Sequence, residues 1–372
     1  MSKHARAPIA TALAGALLSC LPGGAVLRPE PSGPPAGLPR IAPARQPNPA
    51  DARPSYAAYC RTVAAGCTGL FAQYASEEKC LERCRREGWA LGRAGDTKGD
   101  SVGCRAEWAS RAATDPAGSC AHAGVASPMC VVGEPLPTVP PLDPAATQVL
   151  GLYDGGDAQG WEAAGRRARK EILGERVRKA LAARGLTLAI RDLRDGTPDD
   201  DETARSRAIV TALCDATLPG ARGYLLWLRA NMEAGRKVMI LNDLGAFLEP
   251  GSPGGIGNEW VNLVFEPLGV EYRGSWTENG RVLRTTRADP TLFLRGRVPK
   301  ASAAGHYYRF VRTGDDLAVF LEVERTDIPD SASPVVFAGR RGGFALARYY
   351  EDVDGREHVD LSKLLEVVIP SR

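Results

Sequence analysis

Two periodicities divide the second half of the chain. Gln148–Asp154, Leu186–Asp192, Ala208–Leu213 and Lys237–Leu241 are short, almost unbroken apolar runs, the pattern of strands covered on both faces. Between them, Trp161–Arg184, Ala221–Ala234 and Asn258–Leu268 repeat apolar residues at helical spacing. Each is followed at once by a glycine, Gly185, Gly235 or Gly269, in the position that closes a helix. This alternation predicts an α/β fold, a doubly wound, mostly parallel sheet with helices on both faces. From about residue 270 the pattern turns β-rich. Strands are expected at Arg281–Thr285, Tyr307–Arg312, Leu317–Glu324, Val335–Ala338 and Gly343–Tyr350, and a last helix at Leu361–Val368. This C-terminal part should extend or cap the same sheet, giving one domain over residues 147–372.

The first half has no such rhythm. Residues 22–56 hold ten prolines, and Gly133–Pro144 holds five in twelve residues. Neither stretch can bury enough apolar surface to offset chain entropy, so residues 20–56 read as a tether and 132–146 as a linker. Between them, residues 57–131 carry seven of the nine cysteines: Cys60, Cys67, Cys80, Cys84, Cys104, Cys120 and Cys130. A unit this small with few large apolar residues reads as a disulfide-rich helical module. Cys80 and Cys84 are four apart and share a helix face. Because seven is odd, one cysteine must stay free, pair with Cys214 or pair between chains. Metal binding with His122 as a further ligand is the weaker alternative, since the spacings lack paired C-x2-C knuckles. No metal site is therefore expected. Charge is nearly balanced, 47 Lys+Arg against 44 Asp+Glu for a formal +3, which gives no electrostatic case for a nucleic-acid partner.

The N-terminus pairs Lys3 and Arg6 with an apolar run from Ile9 to Leu18, too short to span a bilayer and fitting a signal peptide over residues 1–19. Leu17-Leu18-Ser19-Cys20 resembles a bacterial lipobox. The resemblance implies cleavage before Cys20, lipidation of its sulfur and a membrane anchor, with outer-membrane placement because Leu21 is not the usual inner-membrane retention residue.

The cysteine module also resembles a known type, the cysteine-rich module of myxobacterial surface lipoproteins. The match runs through Tyr59-Cys60, Cys67-Thr68-Gly69, Gln73-Tyr74-Ala75-Ser76, Cys80, Cys84, Gly95-Asp96-Thr97, Cys104-Arg105, Cys120, His122-Ala123-Gly124 and Cys130. It departs at Trp108 and Ser119, where that module usually has histidine, which counts against a metal or haem.

Four predicted strands end in aspartate: Asp154, Asp192, Asp215 and Asp243, the last preceded by Asn242. In an open parallel sheet, ligands bind beyond the carboxyl ends of the strands, and a flavodoxin-like order would gather Asp154, Asp215 and Asp243. Such a carboxylate crevice suits a divalent cation or a hydroxyl-rich ligand such as a sugar. The competing reading is that each aspartate caps its own turn. Cys214, with His306 and His358 as the domain's histidines, lacks the elbow motif of a nucleophile. Gly254-Gly255-Ile256-Gly257 lacks the Lys-Ser/Thr of a phosphate loop.

The domain resembles a degenerate class I glutamine-amidotransferase-like, flavodoxin-type domain of the kind found beside polysaccharide deacetylases in exopolysaccharide proteins. The resemblance is carried by Leu150–Asp154, Arg191-Asp192-Leu193 with Gly196-Thr197-Pro198, Tyr224–Leu228 and Ala234–Gly245. Asn242 and Asp243 stand where an amidotransferase has its cysteine, which argues against that chemistry. The expectation is an exported, lipid-anchored envelope protein with no catalytic residue and no cofactor. Its partners would be the membrane, through its lipid, and a glycan or envelope protein. The alternatives are a hydrolase or carbohydrate-processing enzyme built on Asp243 and Asp215, and a structural scaffold.

Overall fold

The computed structural model describes residues 54–155, 169–213, 218–247, 255–294, 303–346 and 359–370. The signal sequence, Cys20 and all but the end of the first proline-rich stretch lie outside these residues, as do Cys214 and Asp215. Among the described residues no helix is long and apolar enough to cross a membrane.

Four helices build the cysteine module: α1 (Tyr56–Gly66), α2 (Glu77–Glu87), α3 (Val102–Arg111) and α4 (Pro116–Ala123), followed by a π-helical turn at Pro128–Val132. Each start is fixed by a side-chain cap, from Ser55, Ser76, Ser101, Asp115 and Ser127. Helix α2 also has Glu77 and Glu78 in its first turn and Arg85 and Arg86 in its last, matching the helix dipole. Replacing Ser76 with alanine should lower stability by about 1 kcal/mol, read as a lower denaturant midpoint. Only a small apolar cluster, with Tyr59, Val63, Trp89 and Val102 at its centre, packs inside. Three disulfides tie it: Cys60–Cys80, Cys67–Cys120 and Cys104–Cys130. Of the seven cysteines expected to form the disulfide framework, Cys84 is the odd one, a buried free thiol. Arg105 is buried 3.9 Å over the Trp89 ring, donates to the carbonyls of Ser101, Gly124 and Val125, and pairs with Asp100 at 2.6 Å.

The α/β part has its own, larger core around one nine-stranded sheet. Its strands are β1 (Gln148–Tyr153), β2 (Thr187–Asp192), β3 (Ser206–Leu213), β4 (Lys237–Asn242), β5 (Val270–Ala288), β6 (Ala303–Arg312), β7 (Ala318–Arg325), β8 (Ser333–Gly339) and β9 (Gly342–Ala345). The order is β2-β1-β3-β4-β9-β8-β7-β5-β6. The first five are mutually parallel and follow the flavodoxin-like order, with β9 as the fifth strand. The pairs from β9–β8 to β5–β6 are antiparallel. The C-terminal part thus joins the same sheet, as its pattern suggested, and it does so through the shortest strand. A Cβ on Gly342 would sit 1.8 Å from the Val238 carbonyl oxygen, so only glycine lets β9 pair with β4 there.

Helices lie where the apolar period placed them: α7 (Ala221–Glu233), α8 (Asn258–Phe265) and α9 (Leu361–Val368), with Gly235 and Gly269 at positive φ. The helix expected from Trp161 is described from residue 169, runs as a π-helix over Ile172–Val177, and ends as α5 (Arg178–Ala182). A short helix, α6 (Asp200–Ala204), precedes β3 behind an Asp199–Glu202 capping box. Strand β5 begins at Val270, well before Arg281, because its first half pairs with β6 and only its last residues pair with β7.

The second proline-rich stretch lies against the domain. Buried Arg236 donates to the Pro140 carbonyl at 2.7 Å, to Pro141 at 3.1 Å and to Ser206 at 2.9 Å. Arginines also join the two halves. Arg83 of α2 contacts Glu266 at 2.6 Å, and Arg229 of α7 donates to the carbonyls of Leu263 and Ala126. Arg340 and Arg341, at the β8–β9 turn, donate to the carbonyls of Gly69, Ala72 and Leu70.

Candidate functional site

The carboxyl edge of the parallel strands collects most of the predicted aspartates. Asp154 follows β1 and Asp243 follows β4, with β3 between the two strands, and both side chains are buried. Asp243 is aimed inward by Asn242, which adopts a left-handed φ of 77° and donates its side-chain amide to the Leu213 carbonyl at 2.9 Å. Asn242 is thus a positioning residue that joins the ends of β3 and β4. Asp243 Oδ1 accepts from the Tyr308 hydroxyl at 2.5 Å and from the Gly245 N–H at 3.0 Å.

Burial pushes the Asp243 carboxyl up to about 6, and the charge of Asp154 adds to the rise. The Tyr308 and Gly245 hydrogen bonds pull the other way. Tyr224, on α7, is raised well above the ordinary phenol value by burial and by the charges of Asp154 and Asp243. Its hydroxyl faces Thr211 of β3 without a well-aligned hydrogen bond, and both groups are fully buried. Tyr308 belongs to an aromatic cluster with Phe247, Tyr272, Phe310 and Phe344, ring centroids 5.4–5.7 Å from its own.

Asp192 has a different role. Its Oδ1 accepts from Arg194 N at 2.9 Å, capping the 3-10 turn Leu193–Asp195, and from Gly155 N at 2.8 Å. It ties the ends of β1 and β2 together. Asp215, Cys214 and His358 lie outside the described residues, as does the side chain of His306. The structure therefore brings Asp154 and Asp243 together and adds Tyr224, Thr211 and Tyr308. Of these, Thr211 left a trace in the sequence as the one hydroxyl in the apolar run of β3. Tyr308 lies 65 residues from Asp243 and left none.

Chemically, this edge offers one carboxyl group that exchanges a proton near pH 6, a second carboxylate beside it and two phenols. It can accept hydrogen bonds from hydroxyl groups, and Asp243 can hold or release a proton.

A second concave surface lies between the two halves. This cleft of about 600 Å³ is lined by Gln73, Arg86, Arg229, Arg312 and Asp316 among others, within the size range of ligand pockets. Arg341 and Arg229 converge there on Glu233, at 3.1 and 2.9 Å. Behind it, burial and Arg229 push His122 down to about 4, so this imidazole is neutral at physiological pH.

No protein-family model matches the chain, and no curated protein does. Among solved structures, it is similar to a glutamine amidotransferase from Thermotoga maritima. That likeness has a TM-score of 0.28 and 11% sequence identity, over 54% of this chain and 74% of that one. So faint a likeness carries no functional argument. The fold class rests on the strand order itself.

Proposed function

We propose that the protein is an exported, lipid-anchored envelope protein whose α/β domain binds a glycan, or an envelope partner presenting hydroxyl groups, without turning it over. The disulfide set of the helical module carries the export part of this reading. Three bridges in a unit with so small an apolar core are the economy of a chain that folds in an oxidising compartment. The ligand part is supported by the Asp154–Asp243 pair at the carboxyl ends of the parallel strands, where open α/β sheets bind their ligands. In this reading Cys20 carries the lipid, and Asp154 and Asp243 accept hydrogen bonds from the ligand.

A second reading, a hydrolase, is favoured by one observation. A carboxyl group titrating near 6 is suited to general acid catalysis, and Asp243 is that group. The partner base would come from Asp154 or Asp215.

Metabolic labelling with a fatty-acid probe is expected to tag the wild-type protein and not a Cys20→Ala variant; persistent labelling of the variant would refute the anchor. For the ligand, a glycan array probed with the full chain is expected to give signals that Asp154→Asn weakens at least tenfold (about 1.4 kcal/mol). Breakdown of a bound glycan by the wild type, lost in Asp243→Asn, would favour the hydrolase. An array with no signal would remove the glycan from the reading.

A further inference from the structure

The sulfur atoms of Cys60, Cys80 and Cys84 lie within 4.8 Å of one another, all buried. Helix α2 presents Cys80 and Cys84 one turn apart on the face turned to α1, which carries Cys60. Cys60 is bridged to Cys80, and its sulfur is 3.7 Å from that of Cys84. We propose that the Cys84 thiol exchanges with this disulfide, so that Cys60 is bridged to either sulfur in turn and the free thiol moves between Cys84 and Cys80.

The step is a thiol–disulfide exchange that needs no external oxidant or reductant. The Cys84 thiolate attacks Cys60 Sγ, a Cys84–Cys60 bond forms, and the Cys60–Cys80 bond breaks. Cys80 leaves as a thiolate and takes up the proton that Cys84 gave away. An in-line attack would place the outer sulfurs roughly 5.7 Å apart, given an ordinary S–S bond. The three sulfurs instead form a triangle, so exchange begins with a rotation of the Cys60 or Cys84 side chain about χ1, a move between staggered wells.

The two isomers differ in what they expose. A cavity of about 170 Å³ is lined by Cys60, Cys80, Val63, Tyr74 and Ser76, whereas Cys84 is not on its wall. With Cys60 bridged to Cys80 the thiol is sealed in the module. With Cys60 bridged to Cys84 the thiol at Cys80 borders the cavity, where it could attack a small-molecule disulfide, forming a mixed disulfide and releasing the other half as a thiol. Exchange is slow at neutral pH because burial raises the Cys84 thiol to about 11. Glu87 adds to that rise, and Arg105 opposes it. Tyr59 and Tyr74, the other titratable groups facing Cys84, are both held in the neutral phenol form by burial.

The experiment uses the full chain, held native at pH 8.5 with iodoacetamide, quenched in acid and digested with trypsin. Cleavage after Arg83 puts Cys80 and Cys84 on separate peptides. The expected products are alkylated Cys80 and a Cys60–Cys84 linked peptide. Label at Cys80 should be about tenfold above that in Cys84→Ala, which has no attacking thiol. A Cys80→Ala variant is expected to form the Cys60–Cys84 bridge. Label confined to Cys84, equal label at Cys80 in wild type and Cys84→Ala, or unbridged Cys60 in folded Cys80→Ala would each overturn the proposal. Should Cys80→Ala not fold, the wild-type peptide map decides alone.

Discussion

Replacing Cys67 and Cys120 together with alanine is expected to destabilise the helical module by about 4 kcal/mol, the largest effect among the three bridges. Their sequence separation is 53 residues, against 20 for Cys60–Cys80 and 26 for Cys104–Cys130. In the chain-entropy account, the longest loop restrains the unfolded chain most. The loss is large relative to the few apolar side chains that hold α1 to α3 and α4. Urea unfolding followed by the fluorescence of Trp89 and Trp108 would measure it. A change below 1 kcal/mol would mean that the unfolded chain already keeps residues 67 and 120 close. Removing both cysteines avoids leaving an unpaired thiol.

Asp243 is expected to make the chain less stable as pH rises from about 4 to above 6. In the folded protein its carboxyl holds its proton up to about 6, against an ordinary 3.8 once unfolded. Between those values the folded state binds more protons. The contribution is therefore fully present below the unfolded value and lost as pH rises through the folded one, about 3 kcal/mol in all. Asp243→Asn keeps an oxygen to accept from Tyr308 and Gly245 and never ionises. It should flatten this slope and, at pH 7, be more stable than the wild type by up to about 3 kcal/mol. Chemical denaturation of both proteins at pH 4, 5, 6 and 7 measures this directly. An unchanged slope in the variant would show that another group is responsible. A buried charge that lowers stability at neutral pH is what a site kept for its chemistry would look like.

The parallel half of the sheet was legible because β1, β3 and β4 are covered on both faces and so read as unbroken apolar runs, with a glycine closing the helical runs before β2 and β4. The first half of β5 was not, because residues 270–280 mix Arg, Glu, Thr and Asn into a stretch without a clean strand period, and it pairs with β6. At the carboxyl edge, a strand followed by aspartate looks the same whether the carboxylate is free, as a ligand needs, or spent on a turn. Asp192 and Asp243 both accept from the N–H two residues on and differ in their second partner, Gly155 for one and the distant Tyr308 for the other. The odd cysteine was countable but not assignable, since Cys80 and Cys84 share the face that meets Cys60. The arginines joining the two halves were invisible for a related reason. Arg340-Arg341 before Gly342-Gly343 reads as a solvated turn, and only packing reveals carbonyls from residues 69–72 as its partners.

The position of β9 has a consequence for synthesis. This strand lies about 100 residues beyond β4 in the chain, yet it alone covers the open side of β4. Until residue 345 has left the ribosome, β4 presents a bare row of amides and carbonyls flanked by apolar side chains, an invitation to pair with another chain. Any fragment that stops before β8 would carry the same sticky border permanently. Long-range closure of this kind is slow, so a newly made chain remains pliable until almost its last residues are available.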